Sequence, residues 1–158
     1  MKKLFIILLF FSFESFSQIK KPDTSIWSTF RTSVKLEIPD GSKFVGKANV
    51  LTEIIAEMYK KDNYYYVIYE NQDFILYPGY DSFVFNDEDG FFDMLHKSII
   101  EFIDTKGKKM ESFNLPEGTL TLNKIIKFVN FNFTNKKGST SKSGFMNKKQ
   151  INKLFGKN

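Results

Sequence analysis

The chain of 158 residues contains no cysteine. Thiol nucleophiles, disulfide exchange and thiolate metal sites are therefore excluded. There is one histidine, His96. A catalytic triad needs a histidine oriented by a carboxylate beside a nucleophile, and nothing near His96 in sequence has that character. A histidine-based zinc site is equally disfavoured by one His and no Cys. No phosphate-binding loop, nucleophile elbow or dinucleotide fingerprint is present. Asp87, Asp89 and Gly90 faintly suggest a calcium loop. Aligning Gly90 with that loop's glycine puts Phe85 and His96 at ligand positions they cannot fill. No metal and no cofactor are expected.

Long apolar runs are also scarce. The one candidate, residues 4–13, is apolar except for Ser12 and is half the roughly 20 residues needed to span a bilayer. It follows Lys2 and Lys3, and Ser15 and Ser17 stand at −3 and −1 of a cut before Gln18. This three-part layout is that of a secretory signal peptide over residues 1–17. The expectation is an exported protein, periplasmic or extracellular, without a membrane-spanning segment once processed. The remaining chain is long enough to fold around its own core without disulfides. Residues 18–32 read as a flexible lead-in and 33–158 as a single α+β domain.

Acidic residues disappear beyond Glu117. Residues 118–158 carry nine lysines and no acid, whereas residues 18–117 carry 12 basic and 17 acidic groups. Such asymmetry marks a surface for an anionic partner, or a basic segment that faces the acidic one within the fold. Lys136, Lys137, Lys142, Lys148 and Lys149 are the candidate anion-binding residues. Export and the near-exclusive use of Lys over Arg argue against nucleic acid.

What is abundant is aromatic. There are 19 Phe, and all seven Tyr fall between Tyr59 and Tyr80. Residues 64–69 form a run of strand formers, and residues 74–77 and 83–85 read as further strands. Residues 34–38 alternate as a strand that Pro39, Asp40 and Gly41 turn back. Residues 50–61 fit a helix by their four-residue recurrence and a strand by alternation; the strand is preferred because residues 64–69 need an antiparallel neighbour. Phe92, Leu95, Ile99, Phe102 and Ile103 predict a helix from 88 to 105, with His96 on its polar side and Gly107 beyond its end. Residues 108–118 read as a polar connection, 118–133 as two strands, and 135–144 as a mobile loop. Asn147 caps a last helix, 148–155.

The expected fold is α+β: an antiparallel sheet or meander of about five to seven strands, with the long helix packed on it and the short helix at the C-terminal end. Because strand side chains alternate, some tyrosines must point outward. Tyr64, Tyr65, Tyr66, Tyr69, Tyr77 and Tyr80 form the candidate binding face. The expected function is non-enzymatic binding in the cell envelope, to a protein, an acidic polysaccharide or anionic lipid headgroups. Two alternatives stay open: a small hydrolase acting on a glycan or peptide through carboxylates, and an exported enzyme inhibitor. Intact mass of the exported protein is expected to show a chain starting at Gln18 or its cyclised form. Retention of residues 1–17 overturns the signal-peptide reading.

Overall fold

A computed structural model describes residues 38–73 and 79–157. The leader, the lead-in, most of the strand expected over 34–38 and the strand expected over 74–77 lie outside the described residues. Two antiparallel sheets and two helices make up the fold, an α+β architecture as expected. The first sheet is a meander of β1 (Lys43–Val50), β2 (Glu53–Lys61), β3 (Tyr64–Asn71) and β4 (Gly79–Asn86). A 3₁₀ turn (Glu88–Gly90) leads into α1 (Phe91–Asp104). The second sheet orders β5 (Met110–Leu115), β6 (Gly118–Ile125), β7 (Phe128–Asn135) and β8 (Thr140–Lys142), with β9 (Met146–Asn147) also paired to β7. Helix α2 (Lys148–Leu154) closes the described chain.

Alternation decides which side chains enter the core. On β3, Tyr65, Val67 and Tyr69 turn inward opposite Met58 and Ala56 of β2 and Phe83 and Phe85 of β4. On the second sheet Leu120, Leu122, Val129, Phe131 and Phe133 do the same. Leu95, Ile99, Phe102 and Ile103 of α1 and Ile151 and Leu154 of α2 complete one hydrophobic cluster. Residues 53–61 are strand, as preferred, while Val50 ends β1 and Leu51 and Thr52 turn between the two: the helical recurrence loses because β3 pairs with residues 56–61 and β1 with the rest.

Both helices are ended by specific contacts. The Asp87 carboxylate accepts the Phe92 amide at 2.8 Å, occupying one of the free donors of the first turn of α1. At the other end the Lys124 ammonium donates to the Phe102 carbonyl at 2.6 Å and to the Thr105 carbonyl, where a cation suits the helix dipole. Asn147 and Gln150 form a reciprocal capping box on α2. Helix α2 then lies directly on β1, at a position only glycine permits. A Cβ on Gly46 would stand 2.7 Å from the Leu154 carbonyl oxygen and closer still to that of Lys153.

Two expectations are corrected. The polar connection 108–118 contains β5, a six-residue strand paired with β6 along its whole length. Its alternation is weak because Met110, Ser112 and Asn114 face solvent and only Leu115 is fully buried. The loop 135–144 contains β8, which stitches the two sheets together. Its Ser141 hydroxyl meets the buried Tyr69 hydroxyl at 2.6 Å. Asn71 Oδ1 accepts the Lys142 amide at 3.2 Å, and the Gln72 amide donates to the Lys142 carbonyl at 2.8 Å. Ser143 Oγ accepts the Phe131 amide and donates to the Gly144 carbonyl. Loop-like composition is misleading here because the hydroxyls are buried with partners.

Burial, above all, pushes the Tyr69 hydroxyl well above the usual tyrosine range, so it stays protonated. Tyr69→Phe and Ser141→Ala should each lower stability by about 1–2 kcal/mol, since each leaves one hydroxyl buried without its partner. Urea denaturation of the double variant should show less than the summed loss. Strict additivity would mean that the bond contributes no coupling.

Candidate binding surface

The tyrosines separate by strand parity. Tyr65 and Tyr69 are 5% and 1% exposed, so they leave the candidate binding face and join the core. Tyr65 stacks on Phe92 of α1 at 4.3 Å. Tyr64 is 44% exposed, Tyr66 and Tyr80 are half-buried, and Tyr77 lies outside the described residues. Tyr66 pairs with Tyr59 and Val84 across the outer face of the first sheet, and Tyr59 meets Phe44 edge-on at 5.6 Å. These are the cross-strand pairs that stabilise a sheet face.

The five candidate lysines do not form one site either. Lys136 and Lys137 lie in the turn after β7, shaped by Asn135 Oδ1 accepting the Lys137 and Ser139 amides. Lys148 and Lys149 open α2, beside the other end of β7 and about 25 Å away along the strand. Lys142 pairs with Asp73 at 3.1 Å and Lys148 with Asp104 at 2.8 Å, so part of the basic segment is spent on acids of the earlier chain. Lys136, Lys137 and Lys149 make no ion pair among the described residues. His96 is half-buried rather than on an open polar face. Its Nε2 donates to Asn152 Oδ1 at 2.9 Å and its ring lies 5.1 Å from Phe155, because α2 docks on that side of α1.

A feature that sequence reasoning missed stands at the N-terminal end of α2. Two hairpins meet there. The β1–β2 hairpin is tied to the first turn of α2 by Gln150 Nε2 donating to the Asn49 carbonyl at 2.9 Å. The β6–β7 hairpin is tied to it by the pairing of Phe128 with Asn147. Each has a two-residue turn, set by the pairs Val50 with Glu53 and Ile125 with Phe128. The first turn residues are Leu51, at φ 52°, and Ile126, at φ 57°. That left-handed position ordinarily takes glycine or asparagine, and a bulky or β-branched residue is strained there by about 1–2 kcal/mol. The β2–β3 hairpin shows the ordinary solution, with Asp62 at φ 52°.

Neither side chain recovers that strain by packing: Leu51 is 91% exposed and Ile126 83%. Val50, Ile125, Phe128 and Phe145 are also exposed large apolar residues nearby. Lys127 shares the second turn, and Lys148 and Lys149 stand in the first turn of α2, where the helix dipole disfavours cations. Two apolar tips and a set of lysines thus adjoin the first turn of α2. The sequence signal was the absence of Gly, Asn or Asp at two tight turns.

A second cluster is acidic. The Glu70 carboxyl on β3 is held above the usual glutamate range, first by burial and then by the charge of Glu53. No group of three or more His, Asp or Glu side chains suited to a metal occurs among the described residues. No helix among them is long and apolar enough to cross a membrane. Comparison with family models, with curated proteins and with solved structures finds no match for this chain.

A raised folded-state pKa means that the stability of the protonated form is present below the unfolded glutamate value and lost as pH rises through the folded one. Glu70→Gln should therefore raise the urea midpoint at pH 7, and the gain should vanish at acidic pH, where Glu70 is protonated in both states. A gain independent of pH would place its origin elsewhere.

Proposed function

We propose that this chain is an exported, non-enzymatic binding protein of the cell envelope, engaging an anionic partner through the hairpin tips and the first turn of α2. The observation that carries the reading is the pair Leu51 and Ile126: apolar, strained and exposed, beside lysines that include Lys127 and Lys149, which make no ion pair among the described residues. Apolar side chains held at strained backbone positions that folding does not use point to use outside the fold. Export is supported by the layout of residues 1–17. The tyrosine face contributes less to this reading than the sequence suggested, since two of its six members are in the core. A carboxylate-based hydrolase is the competing reading, and Glu70 beside Glu53 is the pair it would use. Binding takes precedence because an acid pair on a sheet face arises readily from structure alone, whereas Leu51 and Ile126 have no structural use.

The test is co-sedimentation of the purified protein with washed envelopes from the expressing cells, at low and at physiological salt. Retention is expected to fall as salt screens the lysines. The double charge reversal Lys127→Glu with Lys149→Glu is expected to release the protein. Equal retention of variant and wild type would refute the surface.

A further inference from the structure

The partner itself can be inferred from the chemistry of the tips, on the reading that this surface is the one that binds. An acidic polysaccharide would satisfy the lysines but offers no apolar phase for branched aliphatic chains. A protein partner would need two matched concave sites for two separate convex prongs. The interfacial layer of a bilayer meets both demands without shape complementarity: acyl chains accept aliphatic side chains of any outline, and anionic headgroups accept ammonium groups. Leu51 and Ile126 stand at the outermost positions of their hairpins, where side chains can reach past the headgroups while the strands stay outside. Lys127 is next to Ile126 in the same turn, and Lys149 is two residues beyond the Asn147 that pairs with β7. Glu53 is the one acid in either hairpin turn region, and Asp104 nearby is already held by Lys148.

We propose that the protein is a peripheral membrane protein, inserting Leu51 and Ile126 into the interface of an anionic bilayer while Lys127 and Lys149 lie against the headgroup phosphates. The left-handed turns are then maintained by the exposure they create. A turn of Asn or Gly would be more stable and would present nothing to the lipid.

Flotation with pure vesicles tests this, using phosphatidylcholine alone and an equal mixture with phosphatidylglycerol. The probes are the wild type, the double variant Leu51→Asn with Ile126→Asn, and Ile126→Trp. The Asn variant relieves backbone strain, so it should fold with equal or greater stability by urea denaturation while its partition onto anionic vesicles falls about tenfold or more. Wild type and variant share every other residue, so any contribution of residues 1–37 cancels between them. The tryptophan at 126 should shift to the blue and be quenched by brominated acyl chains, which purely electrostatic attachment would not produce. Three results overturn the proposal: no binding of wild type to anionic vesicles, equal binding to neutral ones, or an Asn variant that partitions like wild type. Retention on whole envelopes together with failure on pure vesicles would leave the binding reading standing and assign the surface to a protein or glycan. Failure on both removes the two together.

Discussion

One line of aromatic rings holds the fold together. Phe133 of the second sheet meets Phe83 of the first at 5.7 Å, and Phe83 meets Phe85 at 6.5 Å. Phe85 stacks with Tyr65 at 5.2 Å, Tyr65 with Phe92 of α1 at 4.3 Å, and Phe92 meets Phe155 beside α2 at 5.2 Å. Every layer contributes to this line, so the placement of each sheet and helix is read against the same rings. Aromatic pairs at these separations add about 0.5–1.5 kcal/mol each beyond their buried area. Phe83 is the junction, since it also meets Phe131 and Tyr69. With no cysteine in the chain, this packing does what covalent staples do in small disulfide-bonded domains.

Around the aromatic line the polar contacts select orientation. β8 joins the sheets through Ser141, Lys142 and the turn after β3, and the basic C-terminal segment returns to the acidic early chain through Lys142, Lys148 and Lys157. Asp93 is accordingly held below the usual carboxylate range by its bond to Lys157. These exposed pairs each stabilise little in water. Three of them, Lys142 with Asp73, Lys148 with Asp104 and Lys157 with Asp93, join late lysines to acids of the earlier chain. The contrast between the two parts of the sequence is therefore smaller on the folded surface than along the chain.

The elements with strong local signals were legible. Alternation in residues 64–69 and 129–133, the apolar stripe of α1 and the Asn147 cap of α2 all lie where residue spacing puts them. The errors share one physical origin. β5, β8 and the surroundings of His96 are decided by neighbours far along the chain, and local composition carries no trace of those neighbours. Ser141 reads as loop until Tyr69 is placed opposite it, and His96 reads as exposed until α2 lands on its side of α1. The tyrosines fail by parity: adjacent positions such as Tyr64 and Tyr65 must face opposite ways, so a cluster in sequence becomes two groups in space. The hairpin tips were readable in principle, since Leu and Ile at tight turns violate turn chemistry, but the turns become visible only once the strand registers are known.

The seat that Gly46 provides for α2 has a consequence for the order of events as the chain emerges. β1 is the first described strand, and its covering helix is more than a hundred residues further on. Contacts of such separation form late and slowly, because the loop between them must close first. The first sheet thus stays open on its α2 side until residues 148–154 have been made, and β1 is the strand left waiting for its cover.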